Sequence, residues 1–158
     1  MALTERTVED KIVIGHGGVV VDKQALIIED NGVEVSRSKG VPRAINPSEV
    51  ANERSRIKDI VGVVVDYYGA NPIPTIPDTG LFQTDEIQIE VLSDGQIQAR
   101  TTKSYYKDGA IVRKKNQRHV VDPIDDTTNE HPLIISLAAV LHTPEVVTAR
   151  QSFIEGQL

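Results

Sequence analysis

The sequence predicts a β-rich α+β protein built from two tandem modules, each with about three antiparallel strands followed by a helix. Three observations lead to this prediction. Residues 85–92 alternate apolar and polar side chains, as a strand with one buried face does. Tight-turn sequences separate the extended segments. The same order of elements occurs twice in 158 residues, a length typical of one domain or of two very small ones.

Corresponding positions in the two halves lie 77 residues apart, or 76 at the corner prolines. The recurring positions are Gly18 with Gly95, Gly32 with Gly109, Pro47 with Pro123, Ile57 with Ile134, Ile60 with Leu137, and Val64 with Leu141. A repeat at a fixed offset indicates a repeated structural unit. We therefore favour an internal duplication, and the alternative is two unrelated hairpins that share ordinary turn sequences.

The module boundaries follow from composition. We place the modules at residues 1–70 and 84–158 and a proline-rich linker at 71–83, because NPIPTIPDTG contains three prolines that fix φ and remove N–H donors. Each half alone would have only a marginal core. The halves are therefore expected to pack together or against neighbouring subunits.

Each module is predicted to contain a meander of three strands. The predicted strands are 11–15, 19–29, 33–39, 85–92, 96–106 and 110–121. Residues 4–9 are polar and are predicted to form a lead-in before the sheet. Asn31-Gly32 and Asp108-Gly109 are predicted as tight turns, because such dipeptides readily adopt positive φ. Residues 113–118 are polar on both faces, which favours an edge strand or a projecting ribbon.

A helix follows each meander. Ser48 is predicted as the N-cap of the first helix, although Gly62 leaves open a strand at 63–65. Residues 132–141 begin with proline and are apolar almost all round, so this second helix is expected to be buried. A last helix is predicted at 143–153, with a Thr N-cap followed by Pro and an acid.

Composition argues against several functional classes. The formal net charge of −6 argues against a general nucleic-acid binder, so nucleic acid is not an expected partner. The absence of Cys excludes disulfides and thiolate metal sites and favours synthesis in a reducing cytoplasm. The longest apolar run, 133–141, is too short to span a bilayer. We expect a soluble protein without a membrane partner.

No phosphate loop, dinucleotide fingerprint or nucleophile elbow occurs in the sequence. We therefore expect neither an enzyme nor a cofactor.

A cluster of basic residues marks the second and third strands of the second module: Arg100, Lys103, Lys107, Arg113, Lys114, Lys115 and Arg118. One interpretation is a docking surface for an acidic partner, either another subunit or a polyanion. The alternative is a solvated edge strand whose charges prevent aggregation.

A second cluster has metal-ligating residue types. It contains His119, Asp122, Asp125, Asp126, Glu130 and His131, around Pro123. Its spacing matches neither a calcium-binding loop nor the helix of a zinc enzyme. We predict a structural corner formed by His119, Asp122, Pro123, Asp125 and Asp126, in which Asp122 and Asp125 accept backbone N–H bonds and cap the next helix. A bond from Arg118 to a carboxylate would tie this corner, and metal binding there remains open.

Residues 85–151 resemble a small module found in proteins of tailed bacteriophages that are encoded near virion structural genes. The resemblance rests on Ile89-Glu90-Val91, Gly95-Gln96-Ile97-Gln98-Ala99-Arg100, Asp108-Gly109, Arg118-His119-Val120-Val121-Asp122-Pro123, Asp125-Asp126 and Thr143-Pro144-Glu145-Val146-Val147. Two positions depart from the pattern: Ile124 stands where similar sequences have Gly, and His142 where they have Trp. No catalytic residues accompany this module.

The resemblance implies a non-enzymatic virion structural protein, with other virion proteins as partners and subunit packing as its mechanism. A homo-oligomer in the tail, baseplate or neck is the leading expectation, and a head decoration protein is the alternative within the particle. A soluble phage-encoded module that binds a host protein is a second hypothesis. A hydrolase that uses His119 and the acids of 122–126 is a third.

Overall fold

Within residues 2–158, which this computed structural model describes, seven strands form one antiparallel sheet. The strands are β1 (Leu3–Ile14), β2 (Val20–Asp30), β3 (Val33–Lys39), β4 (Arg43–Ala44), β5 (Leu81–Leu92), β6 (Ile97–Lys107) and β7 (Ala110–Val121). Their order across the sheet is β3-β2-β1-β5-β6-β7, and the short β4 pairs with β2. Two three-stranded meanders are therefore joined through their first strands.

Helices follow each meander. They are a 3-10 helix (Pro47–Asn52), α1 (Ser55–Ala70), α2 (Pro132–Leu141) and α3 (Pro144–Glu155). α1 and α2 contact each other and cover one face of the sheet with a shared core. Fully buried members of this core come from both halves: Ile12, Ile14, Ile57, Ile60, Ile89, Val91, Leu133 and Leu137. We call the covered face the helix face and the opposite side the open face.

The two meanders meet over only four pairs of residues. Lys11 lies opposite Leu92 and Ile14 lies opposite Ile89 in this antiparallel pairing of β1 with β5. Because the strands are antiparallel, the rest of β1 and the rest of β5 extend in opposite directions from the junction. Each half therefore continues as a three-stranded projection. We call residues 3–10 and 25–39 the N wing, and residues 81–87 and 102–116 the C wing.

The wings share one local geometry. Each ends in a turn with two positive φ angles, at Asn31 (52°) and Gly32 (82°) and at Asp108 (49°) and Gly109 (79°). This is the conformation of a type I′ hairpin turn, as predicted from the sequence. Each wing also has a register shift in its outer pairing, between Ile28 and Glu29 and between Tyr105 and Tyr106.

The β-rich fold class and the predicted meanders are confirmed, but two strand boundaries were wrong. Residues 4–9, predicted as a lead-in, belong to β1 and pair with Gln24–Glu29 of β2. Residues 81–83, assigned to the linker, form the start of β5. In both cases pairing with a long neighbouring strand satisfies the backbone N–H and C=O groups and extends the strand beyond the segment that alternates in sequence.

The helix predictions were confirmed with three corrections. Ser48 is not the N-cap: its N–H donates to Asn46 Oδ1 at 3.1 Å, and Asn46 caps the 3-10 helix. α1 continues through Gly62, so the strand at 63–65 does not form. α2 is not buried all round, because Ile135 remains 37% exposed. The N-cap at Thr143 is confirmed, since its Oγ1 accepts from Val146 N–H at 3.4 Å.

In residues 2–158 no single helix is both long and apolar enough to cross a bilayer. α2 and α3 together have sufficient length and apolar composition, but they meet at a bend of 89°. The apolar face of α2 is also buried in the core, where Leu133 and Leu137 have no exposed surface.

Candidate interaction surface

The predicted basic residues lie on both faces of the sheet. Ile97 and Ala99 belong to the core on the helix face, and side chains alternate along a strand and match across directly opposed pairs. By this register Lys103, Lys107, Arg113 and Lys115 lie on the helix side, and Arg100, Lys114 and Arg118 lie on the open side. The cluster is therefore a two-sided charged ribbon and not one flat surface.

The open-face part of the cluster borders a groove of about 320 Å³. It is lined by Gln88, Glu90, Gln98, Ala99, Arg100, Arg118, His119 and Val120. Arg100 lies directly opposite Arg118 in the pairing of β6 with β7, and like charges in such a pair repel. Among the described residues, Arg118 forms no ion pair and Arg100 bonds only the side chain of Gln88. An anionic group in the groove would relieve this repulsion.

The predicted corner has the expected backbone hydrogen bonds. The N–H of Asp122 donates to Asp125 Oδ2 at 2.8 Å, and Ile124 N–H donates to Asp122 Oδ1 at 3.4 Å. Asp126 accepts from the Thr128 hydroxyl and, at 2.9 Å, from Thr128 N–H. The side-chain bond and then the backbone bond lower the pKa of Asp126. These acids hold the chain as it leaves β7 and turns toward α2.

The predicted bond from Arg118 to the corner was wrong. Arg118 lies on the open face, and Arg150 from α3 binds Asp122 instead, with both Nε and NH2 at 2.7 Å from Oδ2. Gln96 Nε2 donates to the same oxygen at 3.1 Å. Burial alone would raise the pKa of Asp122, but the bonds from Arg150 and Gln96 lower it below its usual range. The corner thus anchors α3 to the second meander.

The two histidines of the wider acidic cluster, His119 and His131, have separate structural roles. His119 Nε2 lies 2.8 Å from Glu130 Oε1 and links the end of β7 to the loop before α2. His131 Nδ1 accepts from Leu133 N–H at 3.2 Å and caps α2. The prediction that Asp122 and Asp125 cap this helix was therefore wrong. Burial lowers the pKa of His131, although Asp85 acts in the opposite direction. Across residues 2–158, no group of three His, Asp or Glu side chains is arranged to hold a metal ion.

Sequence reasoning missed a network of charges in the first half. Asp22 is completely buried, and it accepts bonds from Arg54 NH2 at 3.0 Å and Gln24 Nε2 at 3.1 Å. Arg43 lies 3.4 Å from the same carboxylate and also binds Glu53 at 2.8 Å. A signal was present in the sequence, because Asp22 is two residues from buried Val20 and therefore points to the helix face.

A smaller cavity of about 130 Å³ lies where the proline-rich linker passes the end of α1. Its walls include Pro72 and Ile73 of the linker and an aromatic group. In that group the rings of Tyr67 and Tyr68 pack edge to face with centroids 5.1 Å apart, and His131 lies 5.6 Å from Tyr67.

Comparisons of the chain with protein-family models, with curated proteins and with solved structures found no match.

Proposed function

We propose that this chain is a non-enzymatic structural protein of a tailed-bacteriophage virion, assembling as a homo-oligomer in the tail, baseplate or neck. The observation that carries the proposal is the pair of projecting wings, whose outer strands β3 and β7 have no neighbour on one side. Every side chain of β3 is exposed, and in β7 all but Val121 are exposed. Open strand edges with exposed apolar side chains favour association with another chain.

The particle itself is suggested by the resemblance of residues 85–151 to proteins of tailed phages. Subunit packing would be the mechanism: the wings and the charged ribbon contact neighbouring virion proteins, and burial at those contacts adds to a modest core. Synthesis in the host cytoplasm precedes incorporation into the virion. A head decoration protein is the alternative position in the particle.

We also propose that the two halves arose by duplication. The proposal is supported because the 77-residue offset found in the sequence also separates corresponding elements of the structure. Elements and irregularities lie 77 residues apart: the starts of β2 and β6 (Val20, Ile97), the outer register shifts (Ile28, Tyr105), and the starts of α1 and α2 (Ser55, Pro132). The contact between Arg43 and Glu53 in the first half corresponds in position to the contact between His119 and Glu130 in the second half.

The duplication has a direct test. A tandem chain made of two copies of residues 81–158, joined by residues 71–80, should fold into a sheet with the same strand order. An NMR structure of that chain in which the first strands of the two copies do not pair would contradict the proposal.

The virion role is tested on particles. An antibody to the recombinant chain should give immunogold label at a fixed place on purified virions, with the chain detected in the same particles by blotting. Label at the tail end supports the leading position, and label over the head supports the decoration role. Purified particles that lack the chain by blotting would overturn the virion proposal.

The second candidate is a soluble phage-encoded module that binds a host protein. The observation that favours it is the groove between Arg100 and Arg118, which is suited to a carboxylate-rich segment of a partner. This function predicts a monomer that is absent from particles. A hydrolase centred on His119 is disfavoured by the geometry, because His119 bonds Glu130 while Asp122 is engaged by Arg150.

A further inference from the structure

The two wings have the same fold and opposite charge. The N wing contains six acids and three bases, giving a formal charge of −3, whereas the equivalent residues of the C wing contain five bases and three acids, giving +2. Both wings consist of three antiparallel strands with the same turn type and the same position of the outer register shift. The difference in charge is therefore not a consequence of a difference in backbone structure.

The charges of the C wing are not neutralised within the chain. In the part of the chain that the structure describes, its five bases form no ion pair: Lys103, Lys107, Arg113, Lys114 and Lys115. On the N wing, two ion pairs are internal, Arg6–Glu29 at 2.7 Å and Arg37–Glu34 at 3.0 Å. Glu9 is paired outside the wing, with Arg54 at 3.0 Å and Arg56 at 3.3 Å. Among the described residues, Glu5, which is exposed, and Asp30 at the wing tip, which is partly buried, have no ion pair.

Both wings also present apolar side chains to solvent. On the N wing these are Leu3, Val33 and Val35, which are 58–65% exposed, and on the C wing they are Leu81, Ile111 and Val112, which are 49–82% exposed. A protein interface typically combines an apolar centre with a polar rim, and complementary charge selects the partner surface. Each wing has the apolar component, and the two wings together have the charge complementarity.

We propose that the N wing of one copy of this chain docks on the C wing of the next copy, in a head-to-tail contact. This inference rests on the proposed function, since it specifies the interface of the proposed homo-oligomer. Contacts between two N wings or two C wings are disfavoured, because they place like charges together. A contact between two different surfaces repeats from copy to copy, so it generates a closed ring or an open helical array.

The test uses charge reversal in the full-length chain. An N-wing variant carries Glu5→Lys and Asp30→Lys, and a C-wing variant carries Arg113→Glu and Lys115→Glu. Each variant leaves both wings with the same sign of charge. We expect each to weaken self-association at least about tenfold, and added NaCl to weaken association of the unaltered chain. Sedimentation velocity over a wide concentration range measures both effects, and circular dichroism melts establish that each variant is folded.

Mixing the two variants is the decisive experiment. The reversed N wing of one variant is complementary to the reversed C wing of the other, and their unaltered wings are also complementary. We therefore expect the mixture to recover the oligomer that neither variant forms alone. Loss of association in only one variant, no recovery in the mixture, or an unaltered chain that stays monomeric would overturn the wing contact. Particle labelling tests the virion role independently, so the two failures can be told apart.

Discussion

Val13 lies directly opposite Glu90 at the junction of β1 with β5, and the two residues are 77 positions apart in the chain. This separation equals the offset at which turn glycines and apolar helix positions recur in the sequence. The two halves meet through their first strands, β1 and β5, and α1 and α2 come together over one shared core. Under the proposed duplication Val13 and Glu90 are equivalent positions, and such a pair would lie on a local two-fold axis.

The first prediction is that neither half is stable alone. Cutting the gene after Gly80 would separate Ile12 and Ile14 from Ile89 and Val91, which share the buried core. We expect fragments 1–80 and 81–158 to show no cooperative thermal unfolding by circular dichroism, because each exposes half of that core. Mixing the fragments should restore a cooperative melt. Two separately stable monomeric halves would contradict this prediction.

The second prediction concerns Asp22. Replacing it with Ala leaves Arg54 and Gln24 without their shared acceptor inside the protein. We expect Asp22→Ala to lower the free energy of unfolding by about 2 kcal/mol, as measured by urea titration. The matched control is Glu53→Gln, which alters the other partner of Arg43 in a more exposed ion pair and should have a much smaller effect. Equal effects of the two changes would show that the burial of Asp22 is unimportant.

The third prediction separates backbone strain from packing at two glycines. Gly32 (φ +82°) has no heavy atom within 4 Å of an added Cβ, whereas at Gly95 (φ +90°) an added Cβ would lie 2.7 Å from Val146 Cγ1 and 3.3 Å from Pro123 Cγ. We expect Gly32→Ala to cost about 1 kcal/mol of stability from strain alone. Gly95→Ala should cost more, because the side chain of Val146 on α3 must also shift.

The comparison of these two glycine variants tests how tightly α3 packs against the β5–β6 turn at Gly95. Differential scanning calorimetry of both proteins measures the stability loss. If Gly95→Ala were no more destabilising than Gly32→Ala, the contact between α3 and the β5–β6 turn would not contribute to stability.

The fourth prediction is a dependence of stability on pH through His131. Burial lowers the pKa of His131 below its ordinary value of 6.5, so the unfolded chain binds the proton more readily than the folded chain. The folded protein therefore has its full stability above pH 6.5, where His131 is neutral in both states. Stability is lost as the pH falls toward the pKa of His131 in the folded protein, because protonation favours the unfolded chain. We expect the melting temperature to decrease by a few degrees between pH 7 and pH 5.

A single substitution isolates this effect. His131→Asn retains a side-chain acceptor at the N-cap of α2 and removes the titrating group. The melting temperature of this variant should fall less on acidification than that of the unaltered chain, because the other histidines are common to both proteins. Parallel pH dependence of the two proteins would assign the acid sensitivity to groups other than His131.

The sequence alone determined the features that depend on neighbouring residues. Positive φ at Asn31-Gly32 follows from the residue types in the turn. The start of α3 follows from Thr143 as N-cap and Pro144 as the first helical residue. The exact extents predicted for β3 and β7 agree with the structure, because turn-forming residues and prolines flank both strands. Interactions between residues close in the chain decide these elements, so local patterns suffice to predict them.

Only the tertiary structure decided the features that join distant residues. The pairing of Val13 with Glu90, the burial of Asp22 beneath Arg54, and the bond from Arg150 to Asp122 each connect segments far apart in the chain. Such contacts depend on which strands become neighbours, and many arrangements satisfy the same local patterns. The pairing of β6 with β7 also assigned the basic residues to the two faces, and the short junction of β1 with β5 separated the two oppositely charged wings.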